Sequence, residues 1–265
     1  MTIPRTSLWS WSRRRRHRFT VAFALALPAA SLSPAHANCN ADPEPGINWF
    51  GCERVETSFA GVRLERAVMS NGVWDRSDFS GANLRRADLS SASLRNTILA
   101  GADLTRARFP SADVSGADFT DADLRNASFG RARAVEAIFD GVTATGLGAN
   151  SANFSGARLG AGARFDEARF RRAEMLGMEA DGARFDHAEF RRADLEDARM
   201  SGASLHQADL REATLIRVDF SDADLTRADL RETDISGANF DGADLGNAIW
   251  TDGRRCRPRS VGTCE

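Results

Sequence analysis

The apolar residues of this chain recur at every fifth position over most of its length. Stepping from Phe59 through Leu64, Met69, Trp74, Phe79, Leu84 and Leu89, the series runs by way of Phe119, Phe129, Phe139 and Phe154 to Leu159. A single extra residue within Gly160-Ala161-Gly162 shifts the register by one. The series then resumes at Phe165, Phe170 and Met175 and continues to Leu245 and Trp250. All 39 centres are apolar, Ala stands two places before 29 of them, and every Phe from residue 59 onward is a centre. Polar residues, chiefly Asp, Asn, Arg, Ser, Thr and Gly, fill most other places. A period of five matches neither the 3.6 of an amphipathic helix nor the 2 of a half-buried strand. Two inward positions in every five, one large and one small, suit a chain that turns a corner once per repeat.

A second spacing predicts how many corners close a coil. Phe59 and Phe79, Phe109 and Phe129, Phe119 and Phe139, Phe165 and Phe185, Phe170 and Phe190, and Phe220 and Phe240 are each 20 residues apart. Four repeats per coil would set each pair one layer apart, about 4.8 Å, within the range of offset aromatic stacking.

Runs such as Ala82-Asn83-Leu84-Arg85-Arg86, Ala87-Asp88-Leu89-Ser90-Ser91 and Ala223-Asp224-Leu225-Thr226-Arg227 resemble the A-(D/N)-L-x-x pattern of the pentapeptide-repeat family. The likeness covers residues 57–252. It implies an all-β fold, a right-handed quadrilateral parallel β-helix with four repeats per coil. About ten coils would make a rod roughly 45 to 50 Å long.

The pattern is weakest from Ala134 to Ala149. The centres Ala134, Ala144 and Ala149 are small, Val142 and Leu147 replace the usual Ala, and Thr145-Gly146-Leu147-Gly148 reads as a turn. With the insertion at 160–162, this predicts a bulge or small loop near mid-rod, a place where irregular backbone on a rigid scaffold often carries binding. A tolerated imperfection between two stacked segments is the plainer expectation.

The first 37 residues follow a different chemistry. Arg13 to Arg16, His17 and Arg18 form a basic segment, Phe19 to Leu32 an apolar one, and Ala35-His36-Ala37 a small-x-small cleavage signal. The apolar stretch is short of the roughly 20 residues that span a bilayer, so a signal peptide cleaved after Ala37 is expected, with no membrane span thereafter. The destination is periplasmic or secreted. Four Cys remain, all outside the repeats: Cys39 and Cys52 in an N-terminal cap over 38–56, Cys256 and Cys264 in a C-terminal tail over 253–265. Four Cys allow three pairings, but a rod of this length separates its ends far beyond disulfide reach. Local bridges, Cys39–Cys52 and Cys256–Cys264, are therefore expected, and they fit an oxidising compartment. Such bridges would serve as caps, since an end coil exposes unpaired backbone and apolar interior.

Candidate chemistry is sparse. The chain has no Lys, so its 35 basic residues are all Arg, against 37 acids. Loss of the leader removes six Arg and leaves a net charge of −8, with no basic footprint for phosphate backbones, so nucleic-acid binding is disfavoured. His187 and His206 lie on one face of neighbouring coils and, with Asp186 or Glu189, form the sole metal candidate; without ligand spacing they read as solvated histidines. The carboxylates form ladders rather than a cluster. No catalytic, cofactor-binding or metal site residue is assigned, no cofactor is implied, and the chain reads as a non-enzyme. Residues 201–250 carry 4 Arg against 10 acids.

These features favour an exported structural or interaction scaffold that binds a protein or cell-envelope partner; a homodimer joined end to end is compatible with a capped rod. Some pentapeptide-repeat proteins resemble duplex DNA and bind DNA gyrase, protecting against quinolones. That topoisomerase-directed reading is the alternative, weakened here by the export signal and by the confinement of acidic excess to one third of the rod. A β-helix carbohydrate-active enzyme is a further alternative, and it would need a convergent acid pocket.

Overall fold

The computed structural model describes residues 37–160 and 162–265; the leader expected over 1–37 lies outside these, Ala37 excepted. From Asn48 onward the chain forms a parallel ladder in which each repeat pairs with the residue 20 places later: Asn48 with Val68, Asp88 with Arg108, Asp209 with Asp229. Four bridges per 20 residues make a four-sided β-solenoid. Bridges that straddle 160–162 lengthen to 21, as in Thr143 with Arg164 and Arg158 with Glu179, and the step of 20 returns at Arg164 with Arg184. The extra residue is absorbed at one corner, where Gly162 has φ +90° and Ala163 N donates to Gly160 O at 3.0 Å.

The repeat around Leu89 shows why five residues are enough. Ala87 N closes a turn onto Leu84 O (2.9 Å), Asp88 N reaches back one layer to Ala67 O (2.8 Å), and Leu89 N and Ser91 N reach forward to Arg108 O (2.7 Å) and Pro110 O (2.9 Å). Ser90 N has no main-chain partner and donates to Asp88 Oδ1 at 3.0 Å. Every backbone donor is thus satisfied, as burial between layers requires. The third residue of each turn sits at positive φ, between 53° and 62° for the non-glycine examples, which is the signature of a type II turn. Short polar residues and Gly tolerate that conformation best.

Inside, all six Phe pairs expected from the 20-residue spacing are ring neighbours, with centroids from 4.5 Å for Phe109–Phe129 to 5.6 Å for Phe165–Phe185. The loop or bulge anticipated over 134–149 does not form. The ladder passes through it unbroken, and Val142, Ala144, Leu147 and Ala149 are fully buried. The reason is conservation of volume within a repeat. Where the centre shrinks to Ala144 or Ala149, the position two before it grows to Val142 or Leu147, and Met178 with Ala180 repeats the exchange. Beside Ala134, space is filled by Phe154 of the next layer, 5.5 Å from Phe139 and 6.4 Å from Phe129.

The ladder also begins earlier than residue 57. Ile47, Trp49 and Cys52 already point inward, so the first coil and the segment assigned to the cap overlap. The sequence series breaks there because Arg54 occupies a centre. Its guanidinium lies 4.7 Å from the Trp49 ring centroid and 5.4 Å from that of Phe59, so the cation is accommodated by aromatic faces. Of the two aromatic residues in the segment 38–56, Trp49 is core and Phe50 is exposed. At the far end the tail turns back: Val261 pairs antiparallel with Asp244 and Arg255 with Ile249, and Leu245 N donates to Ser260 O at 2.9 Å. Main chain thus covers the last coil's open edge on the two sides that carry Leu245 and Trp250. Cys39 and Cys52 lie at disulfide distance with Cα atoms 5.4 Å apart, and Cys256 and Cys264 likewise with Cα atoms 4.8 Å apart, the two local pairs expected.

Gly72 offers a test of the volume rule. Two places before Trp74, it lies where a Cβ would meet Trp74 Nε1 at 2.5 Å. Gly72→Ala should cost roughly 1–3 kcal/mol by overpacking. The double variant Gly72→Ala/Trp74→Leu, which restores the common Ala-x-Leu pair, should recover part of that loss. Chemical denaturation showing purely additive losses would contradict the rule.

Candidate interaction surface

With two of every five residues committed to the interior, function must reside in the outward positions. The residue just before each centre carries the ladder and faces out. Asp or Asn at this position caps its own turn. Asp103, Asp113, Asp118, Asp219 and Asp224 each accept from the backbone N–H two residues on, at 2.9 to 3.1 Å. At four turns where that position holds another residue, the carboxyl or amide of the layer before supplies the acceptor. Asp75 serves Arg95 N, Asp140 serves Gly160 N, Asp181 serves Ser201 N and Asn150 serves Arg171 N, at 3.0 to 3.1 Å. The carboxylate ladders noted in the sequence are therefore turn caps first. They do not converge on a common point.

Asp75 is the most deeply placed of them, 5% exposed. It accepts from Ser93 Oγ at 2.6 Å and from Arg95 Nε and Nη2 at 3.0 and 2.7 Å. Burial pushes its pKa up, but the hydrogen bonds from Ser93 and Arg95 outweigh this and hold it below the ordinary 3.8. Asp209 has the same balance, burial being outweighed by bonding to Arg211. Asp123 is lowered chiefly by its bond from Arg125.

The two histidines are neighbours in successive layers. Their rings stand edge to face with centroids 6.0 Å apart. His206 Nδ1 lies 2.6 Å from Thr226 Oγ1, and Asp186 is engaged by Ser204 and Arg184. No group of three His, Cys, Asp or Glu suited to a metal occurs among the described residues. Exposed large apolar side chains, Phe50, Ile98, Leu176 and Val261, are scattered, and single ones are ordinary on a soluble surface. No described helix is long and apolar enough to cross a membrane.

Comparison with known proteins bears on the same repeats. Family models described as pentapeptide repeats match residues 57–96, 87–126 and 122–160, and one described as a pentapeptide repeat region matches 163–240. The chain belongs to the pentapeptide-repeat family. Among solved pentapeptide-repeat structures, it is similar to HetL, a protein involved in heterocyst differentiation regulation in the cyanobacterium Nostoc. The two are 30% identical over 80% of this chain and 92% of that one, with a TM-score of 0.53. A pentapeptide-repeat protein of the Arabidopsis thaliana thylakoid lumen is 28% identical over 42% of this chain and 79% of its own, TM-score 0.27. QnrB1, a plasmid-mediated fluoroquinolone resistance protein, is 20% identical over 70% and 90%, TM-score 0.32. Comparison with curated proteins finds no match.

Sequence reasoning missed one property of the pentapeptide-repeat surface. Charge counted in consecutive thirds averages over all four faces, whereas the coil sorts residues by edge. In the C-terminal half the turn residues of one edge include Arg171, Arg172, Arg191, Arg192, Arg211 and Arg231, with Glu212 and Glu232 beside them. The turn residues two repeats away include Asp181, Asp222 and Asp241 and no Arg. Folding the sequence at a period of 20 would have revealed it.

The Asp75 network predicts an acid response. A carboxylate whose pKa is lowered by folding contributes stability that is complete above its unfolded value and is lost as pH falls through the folded one. Unfolding free energy should thus hold steady above about pH 4 and decline below it. Asp75→Asn should cost roughly 1–3 kcal/mol at neutral pH and flatten part of that decline. An acid limb identical to that of the parent protein would sink the assignment.

Proposed function

We propose that this pentapeptide-repeat chain is an exported, non-enzymatic scaffold whose solenoid faces hold a protein or cell-envelope partner. In this reading residues 1–37 are a leader removed after Ala37, the coil is right-handed and runs for about ten turns, and the mature protein is periplasmic or secreted. The observation that supports it best is the placement of the cysteines. They come together as two local pairs at the two ends of the ladder, one joining the first coil to the segment before it and the other within the tail, and persistent disulfides belong to oxidising compartments. The arrangement of the outward carboxylates fits a binding role. They cap turns along the whole ladder, so the surface offers repeated polar edges rather than a reaction centre.

Two measurements test this. Protein recovered from the periplasm or medium should begin at Asn38 and show no reactive thiol; an intact leader in cytosolic protein would overturn export. Reduction of the end pairs should lower stability by about 2–3 kcal/mol per bridge if they cap the solenoid. An unchanged denaturation midpoint would remove the capping role.

A further inference from the structure

One corner of the solenoid is built unlike the others. The two turn residues after Phe170, Phe190 and Leu210 are Arg171-Arg172, Arg191-Arg192 and Arg211-Glu212. The bridges Arg169 with Glu189 and Glu189 with Asp209 set these turns in successive layers, about 4.8 Å apart. With Asn150 and Ser151 of the preceding layer, the five arginines line an open groove of about 470 Å³ that has no carboxylate in its lining.

Neighbouring acids compensate these cations only in part. Arg171 pairs with Glu189 and Arg211 with Asp209, both at 2.5 Å. Arg191 and Arg192 share the single carboxylate of Glu212, at 2.5 and 2.6 Å. Arg172 has no ion pair among the described residues. Arg211 also lies 3.6 Å from Asp229, a carboxylate that Arg231 engages as well, so five guanidinium groups face four carboxylates, one of them shared beyond the groove. Each guanidinium has five N–H donors, and a carboxylate engages at most two in the fork geometry. Donors therefore remain at the groove beyond those the carboxylates engage.

The corner does not need arginine in order to fold. In earlier layers the same corner carries Ser70-Asn71, Ser90-Ser91, Pro110-Ser111 and Gly130-Arg131, with at most one cation per layer, and the ladder there is unbroken. Stacking like charges in register works against folding, so a purely structural corner would favour the neutral version. An anion that accepts from several guanidinium groups at once offsets that repulsion. The planar fork of Arg suits phosphate oxygens in particular. Three layers span only about 10 Å, too short for the 6 to 10 phosphate contacts of firm duplex binding.

We infer that the groove lined by Arg171, Arg172, Arg191, Arg192 and Arg211 binds a compact ligand bearing two or more phosphate groups, either free in solution or displayed on a lipid headgroup. This names a partner chemistry within the scaffold reading, yet it stands on the groove alone. A cytosolic location would overturn export and leave phosphate binding intact.

The test is calorimetric titration of the purified protein with tripolyphosphate at low and high salt, beside sedimentation with phosphatidylcholine vesicles with and without phosphatidic acid. Tripolyphosphate should bind, weaken with salt, and lose about tenfold in affinity in Arg172→Gln/Arg192→Gln. Arg172→Gln alone, which breaks no ion pair, should show part of that loss with an unchanged melting temperature. Arg158→Gln/Arg199→Gln on the opposite edge should leave binding as it was. Sedimentation with phosphatidic acid vesicles, reversed by tripolyphosphate, identifies a lipid source; tripolyphosphate binding without sedimentation identifies a soluble one. No binding of either probe, equal losses on both edges, or tighter groove-dependent binding of duplex DNA than of tripolyphosphate would overturn the inference.

Discussion

Everything in this molecule depends on the main-chain hydrogen bonds that join each layer to the next at a step of 20 residues. Four of the five N–H groups in the Leu89 repeat are satisfied by backbone carbonyls, three of them in adjoining layers and one across the turn. The fifth falls at the corner, and Asp88 takes it. That one orphan donor accounts for the Asp or Asn of the repeat. The inward pair accounts for its Ala and Leu or Phe, and the positive φ of the second turn residue for the polar or Gly residue there. The five-residue motif is thus a statement about backbone satisfaction as much as about packing.

The interior follows from the same regularity. Because each coil superposes on the last, side chains 20 apart stack, and the Phe columns are the direct result. Their tolerance is set by the volume of a pair of inward residues rather than by either one. This is why Ala144 and Ala149 do not open a loop and why Gly72 stands before Trp74. Close-packed interiors register a change of a single methylene, and here the correction is made two residues away in the same repeat. The one true insertion, at 160–162, is placed at a corner, where an added residue lengthens a turn without displacing any layer-to-layer bond.

On the outside, a repeat fold converts sequence period into edges. Residues five apart alternate among four edges, while residues twenty apart share one. A chain of modest net charge therefore presents an arginine edge and an acidic edge at the same height. Any partner meets one edge at a time, so the net charge of the chain says little about recognition.

The five-residue spacing, the recurrence of Phe at 20, the placement of the cysteines and the resemblance to the pentapeptide-repeat family together gave the solenoid class, the four-repeat coil, the single insertion and the local cysteine pairs. Each follows from a periodicity or from distances that a rod cannot bridge. The capping role of the Asp and Asn positions and the inward Arg54 were not legible, and although a tolerated imperfection over 134–149 was the plainer expectation, its cause was not. Arg54 looked like the end of the apolar series because only tertiary packing shows the aromatic faces of Trp49 and Phe59 around its cation. The small centres looked like weakness because pair volume is defined only once both side chains share an interior. The arginine groove, likewise, is composed of residues 20 apart that become neighbours when one layer hydrogen-bonds to the next. Local pattern determines which way each residue faces, whereas stacking decides which residues face one another.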